Sequence, residues 1–145
     1  MIKIYTDGSC LENPGNGGWA AIIFINDEKV VITGNKKNTT NNQMELMAAI
    51  ESLKKIPEGQ EVEIFTDSQY VKQGITDWIE KWIQNNWKTS SKQKVKNVEL
   101  WKELNIVSKK HKIKWNWVKA HAGDVFNEEV DGLAKKAANK SKLIF

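Results

Sequence analysis

The chain has 145 residues and a mass of 16.6 kDa, with 40% apolar side chains, 28% charged side chains and a formal net charge of +4. A chain of this length buries roughly 68–70% of the surface its unfolded form exposes, so residues 1–145 read as one folded domain and not as a disordered tail. No apolar run approaches the ~20 residues of a membrane span, and the single cysteine, Cys10, cannot staple a fold. The opening Met1-Ile-Lys-Ile-Tyr5 alternates like a strand and lacks the apolar core of a signal peptide. A reducing, cytoplasmic setting with no membrane contact is expected.

Ile2–Thr6 reads as a first strand ending at Asp7, and Cys10–Gly18, rich in Asn, Pro and Gly, as a loop. Trp19–Asn26 and Lys29–Lys36 alternate as a hairpin that turns at Asp27-Glu28. Thr40 followed three residues later by Gln43 is a capping box opening a helix, which Pro57-Glu58-Gly59 ends. Glu61–Thr66 is a fourth strand, ending at Asp67. Ser68–Gly74, Trp78–Asn86 and Asn97–Lys109 read as helices separated by a lysine-rich loop. Lys112–Val118 is a fifth strand, and Glu128–Lys140 is an amphipathic helix. Three strands, a helix, a strand, several helices and a final strand–helix pair imply an α/β fold. Its core is a five-stranded mixed sheet flanked by helices.

Two carboxylates follow apolar strands in matching Thr-Asp pairs, Asp7 and Asp67, and two more sit early in helices, Glu45 and Asp131. Singly, each also reads as a turn residue or as a charge complementing a helix dipole. If the first and fourth strands are parallel neighbours, their carboxyl ends meet where open sheets hold ligands. Acids gathered there repel one another and call for a cation, and an all-oxygen set suits Mg²⁺. His121, on a Gly-containing loop before the last helix, is a candidate proton carrier, whereas His111 lies among lysines and carries no such reading. Cys10 has no base placed near it in sequence, which argues against nucleophilic catalysis.

The net charge hides a division. Residues 1–68 carry 6 Lys against 10 acids, and residues 69–145 carry 16 Lys against 8, with no arginine anywhere. The stretch 81–119 alone holds 11 Lys with Trp82, Trp87, Trp101, Trp115 and Trp117 among them. Lysines interleaved with large aromatics suit phosphates and base or sugar faces, although a solvated lysine face above a Trp-containing core gives the same pattern.

Five blocks in order carry a resemblance. They are Thr6-Asp7-Gly8-Ser9-Cys10 with Asn13-Pro14-Gly15, Thr40–Ala49, Thr66–Val71, Trp117–Gly123 and Asn127–Asp131. Together they resemble the bacterial ribonuclease HI family nearly end to end. The resemblance implies a ribonuclease H-like fold and an endonuclease that cuts the RNA strand of RNA–DNA hybrids, leaving 5′-phosphate and 3′-hydroxyl ends. It assigns Asp7, Glu45, Asp67 and Asp131 to two Mg²⁺ ions, with Mn²⁺ able to substitute, and His121 to proton transfer or product release. For substrate it implies Gly8, Cys10, Asn13, Asn41 and Gln69 at the RNA strand. Thr40 and Asn13 would meet a DNA phosphate, Trp78 and Trp101 the DNA strand, and Trp87, Lys88 and the lysines up to 96 a basic protrusion. The partner is then a hybrid duplex and the working form a monomer. Two other readings share the fold: a non-catalytic hybrid-binding module, and a related nuclease acting on DNA. Ile83-Gln84-Asn85-Asn86 stands where relatives carry more basic residues, and Ala120 replaces a common Gly before the histidine.

Overall fold

The computed structural model describes residues 1–118 and 124–143, the side chains of 141–143 excepted. Strands β1 (Ile2–Cys10), β2 (Gly15–Ile25), β3 (Glu28–Thr39), β4 (Glu61–Thr66) and β5 (Lys112–Trp117) form one sheet in the order β3-β2-β1-β4-β5. The pairs β1–β2 and β2–β3 are antiparallel, while β1–β4 and β4–β5 are parallel, so the mixed sheet is as expected. Helix α1 (Asn41–Lys55) crosses from β3 to β4. Helix α2 (Gln69–Gln73) continues through a π-helical turn, Gly74–Trp78, into α3 (Ile79–Gln84). Helices α4 (Val98–Ser108) and α5 (Val125–Leu143) precede and follow β5. Among the described residues no helix is long and apolar enough to cross a membrane.

Strand alternation divides the interior in two. Ile2 and Ile4 of β1 and Val62 and Ile64 of β4 pack with Leu46, Ile50 and Leu53 of α1 and Trp101 and Leu104 of α4. On the opposite face, Tyr5, Ala20 and Ile22 pack against Val130 and Ala134 of α5. There Tyr5 stacks on Phe65 at 4.6 Å and meets Phe126 of α5 at 5.4 Å, which pins α5 across the middle of the sheet.

Several boundaries differ from those expected, each for a local reason. Gly15, Gly17 and Gly18 are strand, not loop, because glycines here mark close approaches: of Glu12 to Gly15, of Thr39 and of Met44 in α1 to Gly17, and of α5 to Gly18. A β-carbon on Gly18 would stand 2.6 Å from the Ala134 carbonyl oxygen of α5. The hairpin turns one residue earlier than expected: Asn26 and Asp27 both adopt positive φ, 51° and 62°, the two-residue turn whose twist suits adjacent strands. Thr40 Oγ1 accepts from Gln43 N at 3.2 Å, but the return half of the capping box is missing. Gln43 instead accepts from Thr39 Oγ1 at 2.6 Å and donates to Asn97 Oδ1 at 3.2 Å, tying α1 to the start of α4. Helix α5 begins at Val125 because Asp124 Oδ1 accepts from the backbone N–H of both Phe126 and Asn127 at 3.0 Å. Asp131 therefore lies in the second turn and not the first.

Replacing Gly18 with alanine forces α5 away from β2. Gly18→Ala is expected to lose about 1–3 kcal/mol of stability in urea denaturation and to weaken divalent-cation binding, because α5 carries Asp131.

Candidate active site

The acids converge through the architecture just described. Asp7 sits inside β1, opposite Ala20 of β2, and not at the strand's end as expected. Pairing of β1 with β4 stops at Tyr5 and Phe65, so Asp7 lies two residues beyond the last shared rung, level with the end of β4. Asp67 follows Thr66 at that end, and Trp117 Nε1 donates to its main-chain oxygen at 3.2 Å. Glu45 comes from the second turn of α1, which reaches the strand only because Gly8 has no side chain. A β-carbon there would stand 2.5 Å from the Glu45 backbone nitrogen. The same closeness lets Gly8 N–H donate to Glu45 Oε1 and to Asp7 Oδ1.

One carboxylate oxygen from each of Asp7, Glu45 and Asp67 lies within 4.8 Å of the others. Asp7 and Glu45 are buried, at 4% and 8% exposure. Burial first, then the neighbouring Asp67 and Asp131, pushes the Asp7 carboxyl up to about 8. Burial and the Asp7 charge likewise hold Glu45 well above the usual carboxylate range, opposed by the Gly8 N–H. The hydrogen bond between them lowers Asp7 and raises Glu45. Asp131 presents the fourth carboxylate against Asp7 and is paired one helical turn on with Lys135 at 3.0 Å. An all-carboxylate donor set this crowded fits hard divalent cations.

The sequence profile of the RNase H family matches residues 1–139. The chain belongs to the ribonuclease H family. It is 57% identical over 136 residues to "Ribonuclease H" of Wolbachia sp. subsp. Drosophila simulans (strain wRi), covering 94% of both chains. It is 50% identical over 143 residues to "Ribonuclease H" of Bradyrhizobium diazoefficiens, covering 99% of this chain and 93% of that one. Among solved structures, LC9-RNase H1, described as a type 1 RNase H with the type 2 active-site motif, superposes with a TM-score of 0.85 at 30% identity. That match covers 97% of this chain and 72% of the other. A foamy viral protease-reverse transcriptase in complex with RNA/DNA hybrid shares the fold, at a TM-score of 0.77 and 20% identity, over 96% of this chain and 20% of that one.

The expected substrate contacts fall into three groups on this ribonuclease H scaffold. Gly8, Cys10, Asn13, Thr40 and Asn41 cluster around the start of α1, where Asn13 Oδ1 accepts from Asn41 N at 3.2 Å and Cys10 Sγ contacts the Thr39 carbonyl at 3.3 Å. Gln69 is exposed at the first position of α2. Trp78 and Trp87 are half-buried and Lys88 exposed, with Lys102 Nζ 5.8 Å from the Trp87 ring centroid. Trp101 is a correction. It is wholly buried, its Nε1 donates to Tyr70 Oη at 2.9 Å, and its ring packs on Tyr70 and Trp82, so it builds the core and cannot touch a strand. His121 lies outside the described residues. Lys135 is a residue the sequence reading passed over; the four-residue spacing from Asp131 marks it.

The crowding sets a pH dependence with a definite sign. Carboxyls raised in the folded state keep protons that the unfolded chain, at the ordinary 3.8 of aspartate, gives up. In chelator, stability is therefore expected to fall as pH rises from about 4 to about 8. Asp7→Asn should flatten that slope and stabilise the metal-free protein at pH 8 by roughly 1–3 kcal/mol, and Mg²⁺ should stabilise wild type more than the variant. Denaturant titrations at pH 5 and pH 8, with chelator or Mg²⁺, measure both effects.

Proposed function

We propose that the chain, acting as one catalytic domain over residues 1–145, hydrolyses the RNA strand of RNA–DNA hybrids in the cytoplasm with two divalent cations, Mg²⁺ in the first place. The observation that carries this reading is the convergence of Asp7, Glu45 and Asp67 within 4.8 Å, with Asp131 against Asp7. Bound there, the cations would supply Lewis-acid activation of a water and of the departing 3′-oxygen. The protein's part is to fix the donors: Asp7 on a central strand, Glu45 by the Gly8 N–H, Asp67 beside the Trp117 indole and Asp131 on α5. All four acids come from one chain, so a single copy is complete. His121, from the segment joining β5 to α5, serves as proton carrier. The products carry 5′-phosphate and 3′-hydroxyl ends.

Recognition of the hybrid rests on groups flanking this centre. Asn13, Asn41 and Gln69 offer amides to 2′-hydroxyls, which separate RNA from DNA in a wide minor groove. Gly8 and Cys10 line the same approach, and Thr40 and Trp78 face the DNA strand. Trp87 and Lys88 open the basic protrusion, where Lys92, Lys94 and Lys96 are also exposed. Backbone hydrogen bonds hold this loop in shape, Trp87 N to Trp82 O at 2.6 Å and Thr89 N to Gln93 O at 2.7 Å, and Val95 anchors it in the core. Lysine meets phosphate as a point charge without a fork, which gives grip without base reading.

Purified protein should cut a labelled hybrid in Mg²⁺, lose all turnover in chelator, and leave duplex DNA and duplex RNA intact. Asp67→Asn should bind hybrid yet show no detectable turnover. Metal-independent binding without cleavage by wild type would favour the non-catalytic reading, and equal cleavage of duplex DNA the DNA-acting one. Affinity should drop steeply with salt, and Lys88→Gln should lower the slope of log K against log salt by about one without moving the cleavage sites.

A further inference from the structure

Four acids meet at the centre, but their surroundings differ. Asp7 and Glu45 are buried and answer the crowding by holding protons, whereas Asp131 is met by an ammonium: Lys135 Nζ lies 3.0 Å from its Oδ2. The helix sets this pairing. Val130, Ala134, Ala137 and Ala138 are buried apolar residues of α5, and Ala134 and Ala138 lie flush on Gly18 of β2, so the helix is fixed on the sheet. Asp131 and Lys135 follow Val130 and Ala134 by one position each and make the adjoining row, where i and i+4 side chains meet. That row runs along the margin of the buried face, with the two side chains 27% and 58% exposed. Asp131 also lies against Asp7. The Lys135 ammonium donates to Asp131 and feels its charge and, more weakly, that of Asp7. The lysine thus stands within reach of the pocket, while its head, more than half exposed, can swing into water.

We propose that Lys135 is a built-in counter-ion that sets how tightly the Asp7–Asp131 side of the centre holds a divalent cation. A cation shared by those two carboxylates must displace the ammonium from Asp131 or bind beside it, and either course weakens binding. An ammonium and a divalent ion about 6 Å apart in water repel enough to cost about tenfold in affinity, and salt reduces the cost to a few-fold. The ammonium is bonded to Asp131, so the effect falls on that side and not equally on the cluster of Asp7, Glu45 and Asp67. Lys135 thereby makes the two cation positions unequal. An exposed pair one helical turn apart adds little to stability, so the lysine acts through its charge and not through the fold.

This role rests on the metal-dependent reading of the centre, and binding measured without substrate separates the two. Mn²⁺ binding to the substrate-free protein is followed by electron paramagnetic resonance of the free ion, and Mg²⁺ binding by calorimetry. Wild type is compared with Lys135→Gln, Lys135→Arg, Lys136→Gln and Asp131→Asn, with melting temperatures in chelator alongside. Lys135→Gln should strengthen the weaker binding class about fivefold and leave the tighter one within about twofold of wild type. Lys135→Arg should match wild type. So should Lys136→Gln, which removes the same charge from the next, exposed position. Adding Lys135→Gln to Asp131→Asn should change nothing further. In hybrid cleavage, the Mg²⁺ needed for half the maximal rate should fall by a similar factor in Lys135→Gln. A weaker class that is unchanged in Lys135→Gln, or seen in neither protein, overturns the proposal. So does a loosened weaker class, which marks a lysine that merely steadies Asp131, or an equal gain in Lys136→Gln, which marks net charge alone. Absence of any divalent-cation binding sinks the metal reading underneath. The expected cation shifts without any hybrid cleavage leave Lys135 in its role and remove the hydrolase reading.

Discussion

Asp7, Glu45 and Asp67 are like-charged groups brought within 4.8 Å of one another, two of them where water hardly reaches. Left to side-chain freedom they would separate, since repulsion between unscreened carboxylates at such distances far exceeds any local preference. What prevents it is the placement of each on an element that cannot move alone. Asp7 is part of a central strand paired on both sides just below it, Asp67 follows the neighbouring strand, and Glu45 rides a helix wedged against Gly8. Without a cation the pocket answers by holding protons, which is why the Asp7 carboxyl rises to about 8. A site that titrates instead of opening is already shaped for metal, and hydrophobic packing elsewhere supplies the free energy that holds it.

The same logic organises charge over the whole chain. Three of the four acids lie in the half where carboxylates outnumber lysines, and the lysine excess lies beyond residue 68. Were the lysines interleaved with the acids, ammonium groups would neutralise the pocket and weaken its hold on divalent cations. Lys135 is one such ammonium, paired with Asp131 at 3.0 Å. The basic loop after α3 is held in shape by a Val95 anchor and by backbone bonds to Trp82 and Trp87. On the proposed function, carboxylates gathered before residue 68 and lysines gathered after it let cation binding and strand binding share one small domain.

Much of this was legible in the residues. Alternation set β4 and β5 nearly in place, Thr40 marked the start of α1, and the repeated Thr-Asp pairs pointed to two adjacent parallel strands, although Asp7 proves to lie within β1 and not at its end. What eluded the reading depends on contacts between elements. Gly17 and Gly18 have turn composition, yet they are strand because Met44 of α1 and the backbone of α5 take the room a side chain would need. Gln43 carries the spacing of a capping box, but its amide is drawn to Asn97, fifty-four positions away. Trp101 shared a window with lysines and so resembled a strand-binding aromatic, whereas the three-residue spacing of Val98, Trp101, Leu104 and Val107 gives the buried stripe of α4. Trp117 continues the core-facing row of Ile113 and Trp115, and only its place at the end of β5 leaves it in the open.

Asp131 shows how far chemistry here depends on packing remote from it. The middle of β1 and the end of β4 hold Asp7 and Asp67 directly, but Asp131 is delivered by a helix that lies across the face of the sheet. Its depth is decided by the stack of Tyr5 on Phe65, by Phe126 against Tyr5, and by the flat contact of Ala134 with Gly18. A shift of one helix over one glycine would move this carboxylate while leaving the other three untouched. Rigid bodies transmit such shifts because close-packed interiors do not absorb them gradually. The fourth acid is therefore the one whose position reports on the fold as a whole, and the glycine beneath α5 belongs to the active site as surely as the carboxylate above it.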